Sequence, residues 1–308
     1  MIALLFPGQG SQAAGMGCDL CDTYPVARDT FAEASEVLGY DLTAVCRAGD
    51  SGRLGQTEIT QPALLAHSVA AFRVLREGGL EFDAALGHSL GEYSALVATG
   101  ALGFREAAAL VKARGEAMAA AAARHPGAML AVLGLDAAAV DALCAEQAES
   151  WLANYNCPGQ VVVSCAEGAA ASVEAAARAA GARRVVRLAV SGAFHSPLVA
   201  PAAAALREPL AVAGWAAPAP AFFSTCSASF ETGDFAALLE RQLVSPVCFE
   251  QSVRALAAAG YNAYLEVGPG AVLSGLVKRI DGAAATATAG DVGSLVSVLE
   301  GGLATKGG

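Results

Sequence analysis

The sequence predicts an α/β fold interrupted by a small inserted unit, and three observations predict it. Short apolar runs at Ile2 to Phe6, Ala84 to Leu86 and Tyr264 to Val267 each stop at a glycine-containing turn, as strands of an open α/β sheet do. One of these turns, Gly87-His88-Ser89-Leu90-Gly91, is a G-x-S-x-G at a strand-to-helix junction. Between Pro126-Gly127 and Ser191-Gly192 the pattern becomes strand, helix, strand, strand, helix, strand, the ferredoxin-like order. The expected division is a large region over 1–126, the insert over 127–191, and a return to the large region over 192–308.

In chain order, the strand at Ile2 to Phe6 runs into Pro7-Gly8-Gln9-Gly10-Ser11-Gln12. A dinucleotide fingerprint would need a third glycine where Ala13 stands, and no phosphate-loop lysine follows, so the loop reads as a glycine-loosened strand end. From Thr60 a helix is expected with Pro62 in its first turn, closing at Gly78-Gly79. After the G-x-S-x-G turn, an elbow in the chain, Phe104 to Ala123 places Ala107, Leu110, Val111, Arg114 and Met118 on one face. The insert reads as a strand over Met129 to Leu135, a helix capped by Asp136, and a strand over Trp151 to Tyr155. A turn at Asn156 to Gly159 follows, then Val161 to Ser164, a helix over Glu167 to Ala180, and a strand over Arg184 to Val190. Beyond it come a turn around His195, a helix, a strand at Ala221 to Ser224, a helix at Glu250 to Ala258, and a helix bearing Lys278 and Arg279. The last stretch is rich in alanine and glycine and yields no assignment.

Composition bounds the function. With 308 residues, 55% hydrophobic and 16% charged, the chain can bury a large core. A net charge of −10 argues against nucleic acid as the main partner, and no apolar run reaches membrane-spanning length. The start lacks a basic segment ahead of its apolar run, so a cytoplasmic protein is expected. Of the eight cysteines only Cys18 and Cys21 form a CxxC, without a second pair or nearby histidines to complete a zinc site; no metal is expected.

Ser89 at the tip of the turn is the candidate nucleophile. The helix that begins behind it directs free N–H groups and a positive dipole end toward any oxyanion formed there. Its base must be one of four histidines. His67 falls within an apolar helix, His88 adjoins the serine and is placed to brace the turn, and His125 lies in a polar loop. His195, at the return from the insert, is the candidate base. Arg114 on its apolar stripe must be paired, either with a protein carboxylate or with a carboxylate on the substrate.

The blocks FPGQGSQ, TQPAL, GHSLGEYSAL, LVKARGEAM, NYNCPGQVVVS, SGAFHSPL, SPV and EVGPGAVLSGLVKRI, in that order from Phe6 to Ile280, resemble the malonyl-CoA:acyl carrier protein transacylase family. The resemblance implies an α/β-hydrolase-like core with an inserted ferredoxin-like small subdomain. It implies Ser89 as nucleophile, His195 as base, the backbone N–H groups of Gln9 and Leu90 as the oxyanion hole, and Arg114 as the clamp on the malonyl carboxylate. It also implies that a backbone carbonyl at Ser245 orients the histidine in place of a triad aspartate. Asn154, Asn156 and Gln160 would line the cleft, and Phe194 beside His195, with Leu90, fits the malonyl-selective pattern. The substrates would be malonyl-CoA and an acyl carrier protein, with no further cofactor, in a monomer. Lys278 and Arg279 are the candidate carrier-docking pair. The rivals are a polyketide acyltransferase with the same chemistry, a serine hydrolase that passes the acyl group to water, and a non-catalytic carrier- or nucleotide-binding module.

Overall fold

The computed structural model describes residues 1–49 and 51–302. Among the described residues ten strands form two sheets: β1 Ile2–Phe6, β2 Ala84–Gly87, β3 Gly127–Leu133, β4 Ser150–Cys157, β5 Gln160–Ala166, β6 Arg184–Arg187, β7 Ala221–Ser224, β8 Ser229–Glu231, β9 Ala263–Val267 and β10 Ala285–Ala289. The larger sheet has the order β10-β9-β1-β2-β7-β8, parallel except for the edge strand β8. Its central strands are apolar throughout because both faces are covered. Leu4, Phe6, Ala85 and Leu265 pack with the helices Pro25–Leu38, Thr57–Glu77 and Phe104–Arg124. Ala3, Leu5, Ala84 and Leu86 pack on the opposite face with Phe249–Ala258 and Val272–Ile280.

The smaller sheet is antiparallel, in the order β4-β5-β3-β6, with the expected sequence of strand, helix, strand, strand, helix, strand. One face carries the helices Ala137–Glu146 and Ala170–Ala179 through Leu130, Val132, Val161 and Val163. Met129, Ala131, Ala153 and Val162 point the other way and join the large core, so the two sheets share a wall. Backbone bonds from Tyr155 N to the Val247 carbonyl and from Val247 N to the Ala153 carbonyl, both 2.8 Å, tie β4 to the Ser245–Val247 segment.

Several expected boundaries move. The helix expected from Thr60 begins at Thr57, because the Gln56 carbonyl accepts from Ile59 N at 2.9 Å and Thr60 N at 2.7 Å. Pro62 therefore lies inside the helix rather than in its first turn. β3 ends two residues before the expected Leu135, where Gly134 takes a φ of 96° and donates to Gly159. β4 extends to Cys157, which makes Asn156 a strand residue rather than a turn residue. β6 stops at Arg187, and Leu188 to Val190 leave the sheet for the cleft. Helices at Cys18–Thr23, Pro25–Leu38, Leu42–Ala48, Ser51–Leu54, Phe235–Gln242 and Val292–Ser297, and strands β8 and β10, were not anticipated. The expected end of the large region at 308 lies outside the described residues.

Candidate active site

β1 and β2 are in parallel register with Phe6 opposite Gly87, so the loops that follow them emerge side by side. His88 N donates to the Phe6 carbonyl at 2.9 Å, and the chain then reverses into the helix Gly91–Ala98. Ser89 takes a φ of 53°, a left-handed conformation rarely held by a non-glycine residue outside a functional turn. The flanking glycines are sterically required: a Cβ on Gly87 would overlap the backbone of Gly91, and one on Gly91 would overlap the Phe6 carbonyl. A Cβ on Gly8 would likewise strike the His88 carbonyl, so the first loop presses directly on the elbow.

Ser89 Oγ lies 2.8 Å from His195 Nε2. The Nδ1 of His195 faces two backbone carbonyls, Gln242 and Ser245, each at 3.0 Å. With both neighbours being acceptors, Nδ1 carries the proton and Nε2 is left to accept the serine hydroxyl. Burial first, and the Arg114 cation second, push His195 down to about 3, which keeps its ring neutral. His195 also has a left-handed backbone, at φ 58°.

Arg114 is 1% exposed, and the stripe predicted from sequence points it into the site. Its Nη1 donates to Gln61 Oε1 at 2.7 Å; its Nη2 donates to Ser89 Oγ at 3.0 Å and Gln242 Oε1 at 3.2 Å. Its Nε has no partner. No carboxylate forms an ion pair with it among the described residues, so the alternative of a structural salt bridge falls away. A buried, permanently charged fork held only by neutral acceptors is a site with an anion's place open.

Ser89, His195, Arg114, Gln9, Leu90 and Phe194 line one cavity of about 70 Å³. Met118, Met129, Leu188 and Val190 make it apolar beside Phe194. Neither the Gln9 nor the Leu90 N–H has a hydrogen-bond partner among the described residues. A second cavity, about 400 Å³, continues past His88 along Gly8 to Gln12, Asn154, Asn156 and Gln160 to the helix Val272–Ile280.

Some expected residues are engaged differently. Asn156 Oδ1 lies 3.0 Å from His88 Nε2, so this asparagine fixes the histidine that braces the elbow. Gln160 Oε1 accepts from Arg279 Nη1 at 2.9 Å, and Arg279 Nη2 donates to the Pro158 carbonyl at 3.0 Å. Arg279 thus ties the helix to the small sheet's turn, while Lys278 is exposed. Ser245 shares the orienting position with Gln242, which sequence reasoning missed. Gln61, Gln242 and Glu92 were all missed as site residues. Gln61 stands within the TQPAL block and Glu92 within the GHSLGEYSAL block, so their blocks were seen but not their side chains' part.

The acyl transferase domain family matches residues 3–296. The chain belongs to the acyl transferase family. Among curated members, the malonyl CoA-acyl carrier protein transacylase of Bacillus subtilis is 45% identical over 289 residues, covering 91% of this chain and 90% of that protein. The protein of the same name from Escherichia coli is 42% identical over 304 residues, covering 97% of this chain and 98% of its own. A solved complex of a type II PKS acyl-carrier protein with its malonyl-transacylase superposes with a TM-score of 0.94 at 42% identity, covering 97% of this chain and 99% of that one. Within this acyl transferase, the serine, histidine and arginine just described come from three separate stretches of sequence and meet in one cavity.

Proposed function

We propose that the chain transfers the malonyl group from malonyl-CoA to the phosphopantetheine thiol of an acyl carrier protein, in fatty-acid synthesis, through a malonyl-Ser89 ester. Ser89 Oγ attacks the thioester carbonyl carbon as its proton passes to His195 Nε2, 2.8 Å away. The oxyanion accepts from the Gln9 and Leu90 N–H groups. The C–S bond then breaks, and the coenzyme A sulfur leaves with the proton from His195. In the second half, His195 takes the proton of the carrier thiol, whose sulfur attacks the ester carbonyl. The C–O bond to Ser89 breaks and the serine recovers its proton. Coenzyme A and phosphopantetheine enter as parts of the substrates, and no other cofactor or metal has a step to perform.

The observation that carries this reading is Arg114, a buried cation with neutral partners only, 3.0 Å from Ser89 Oγ. In a malonyl ester the carboxylate is one methylene away from the reacting carbonyl, so its receptor must stand beside the nucleophile. A neutral ester would give this guanidinium nothing to pair with, which favours transfer of a dicarboxylic acyl group over general esterase action. The polyketide alternative draws support from the superposed complex, whose carrier is of the polyketide type.

The architecture fits the same reading: an α/β-hydrolase-like core over 1–126 and 192–308, with a ferredoxin-like subdomain over 127–191 that closes the cleft. The 2-3-1-4 order of the small sheet, counting its strands along the chain, supports that label. Among the described residues no helix is long and apolar enough to cross a membrane. The proposal takes the protein as a cytoplasmic monomer. The test is intact-protein mass after mixing with malonyl-CoA. A malonyl adduct that a carrier protein discharges is expected, and Ser89→Ala should never acquire it. Labelling of Ser89→Ala at an unchanged rate would place the nucleophile elsewhere.

A further inference from the structure

Among the described residues no carboxylate touches His195, yet one is buried close behind the site. Glu92, in the first turn of the helix Gly91–Ala98, is 0% exposed. Its Oε1 accepts from Ser224 Oγ at 2.9 Å, Thr225 N at 2.6 Å, Thr225 Oγ1 at 2.9 Å and Cys226 N at 3.2 Å. Its Oε2 accepts from Gln242 Nε2 at 2.7 Å. Five donor atoms surround this carboxyl group, although Thr225 Oγ1 shares its one proton with the Gly87 carbonyl at 2.8 Å and Cys226 N is shared with Ser224 Oγ at 3.0 Å; two of the five are backbone N–H groups that cannot reverse.

The same Gln242 touches the nucleophile's backbone, the base and the arginine. Its Nε2 also donates to the Ser89 carbonyl at 3.0 Å, its Oε1 accepts from Arg114, and its backbone carbonyl accepts from His195 Nδ1. An amide can turn over, and what fixes this one is its surroundings. The amino end faces two acceptors, Glu92 Oε2 and the Ser89 carbonyl, which leaves the carbonyl end for Arg114. Burial works against the Arg114 charge, and Tyr93 first and Glu92 second support it; burial likewise pushes the Glu92 carboxyl up, and its donors Ser224, Thr225 and Gln242 oppose that push.

We infer that Glu92 is a positioning residue: through the Gln242 carboxamide it orients Arg114 and the Ser89 backbone, and it balances the Arg114 charge from one amide away. The inference rests on the proposed malonyl transfer. It makes Glu92→Gln a revealing change despite the matched shape. The fixed N–H groups of Thr225 and Cys226 would hold the new carbonyl oxygen, so the new amino group would face the Gln242 amino group. Gln242 would have to turn, presenting its amino end to the Arg114 fork and its oxygen to the Ser89 carbonyl, each a like-with-like contact.

The test measures kcat/KM for malonyl-CoA and acetyl-CoA with carrier protein, normalised to the fraction of enzyme whose serine is labelled by a fluorophosphonate. Glu92→Gln should lose malonyl transfer on the order of 10²-fold, the usual result of an ångström-scale misplacement. It should lose acetyl transfer less, so the malonyl-over-acetyl ratio falls. A part that Glu92 played only in folding would lower both substrates equally and leave the ratio alone. Gln242→Met keeps the backbone carbonyl and removes the carboxamide; it should lower the ratio similarly, and the double variant should fall no further. An unchanged ratio in either single variant, or losses that multiply in the double, would overturn the inference. Failure of the unaltered enzyme to acquire malonyl mass would instead refute the functional reading beneath it.

Discussion

Arg114→Ala should convert a malonyl-selective site into an indifferent one. In the proposed complex the guanidinium gives the malonyl carboxylate two parallel charge-assisted bonds, worth about 1.5–3 kcal/mol each. The structure reduces the net gain. Arg114 already donates to Gln61 at 2.7 Å, Ser89 at 3.0 Å and Gln242 at 3.2 Å, and binding exchanges some of these bonds. A net of about 3 kcal/mol remains for the full charge pair, on the order of 10²-fold at 1.4 kcal/mol per tenfold. Acetyl offers no carboxylate and forgoes that gain in the unaltered enzyme, so removing the arginine should cost it little. The assay is carrier acylation with each acyl-CoA as sole donor, with kcat/KM normalised to active serine. The malonyl-over-acetyl ratio should collapse by roughly two orders of magnitude. Arg114→Lys should recover little of it, because an ammonium cannot reproduce the fork. If Arg114→Ala keeps the ratio within a factor of about three, the carboxylate is held elsewhere and the cavity has been misread.

Three further outcomes can be checked. Phe194→Ser opens the apolar wall shared with Met118 and Met129, and methylmalonyl-CoA should become a competent donor while acetyl-CoA gains nothing; unchanged methylmalonyl rates would remove Phe194 from the acyl pocket. Lys278→Glu should raise KM for carrier protein and leave KM for malonyl-CoA alone, whereas Arg279, bound to Gln160 and Pro158, should affect the cleft as well; equal effects of Lys278→Glu on both substrates would exclude docking there. Burial drives His67 down to about 4, so between that value and about 6.5 the unfolded chain binds the proton and the native state does not. Stability is then complete above about 6.5 and falls as pH drops through this window, by roughly 3 kcal/mol for His67 alone. His67→Gln should flatten the urea midpoint against pH there, and an unaltered slope would count against it.

The sequence made the large elements legible wherever local chemistry and packing agreed. Ile2 to Phe6 and Ala84 to Leu86 are apolar at every position because a parallel sheet is covered on both faces, and such runs announce themselves. Asp136 caps its helix by accepting from Ala139 N at 2.7 Å, as its residue type suggests. Arg114 was visible as an oddity, a charge on an apolar stripe. By contrast, Thr57 could not be read as a helix start, since Pro62 is the stronger local signal and the real start depends on the Gln56 carbonyl. The strand Ala285–Ala289 was hidden by its alanines, and pairing with β9 decides it. The G-x-S-x-G turn singled out Ser89, and elimination among four histidines singled out His195, because few residue types can do their chemistry. Gln61, Gln242 and Glu92 are ordinary polar residues, and their importance lies in partners 53 to 153 positions away.

That hidden layer explains why the site can work without a carboxylate on its histidine. An acid placed against His195 Nδ1 would raise the ring's proton affinity, but it would also lie close to the Arg114 fork and compete with the substrate for it. Two carbonyls, Gln242 and Ser245, hold the imidazole in the same tautomer with no net charge. On the inferred arrangement the acid is set back at Glu92, behind the Gln242 amide that accepts from Arg114, where it supports the arginine without occupying it. The cavity therefore stays cationic toward an incoming malonyl carboxylate while the base stays neutral. On this arrangement, moving a carboxylate forward, as in Gln242→Glu, should be more harmful to malonyl transfer than removing the amide in Gln242→Met. The new acid would fill the anion's place beside Arg114, raising KM for malonyl-CoA in particular. Equal KM values for the two variants would mean that the fork is not the carboxylate's receptor.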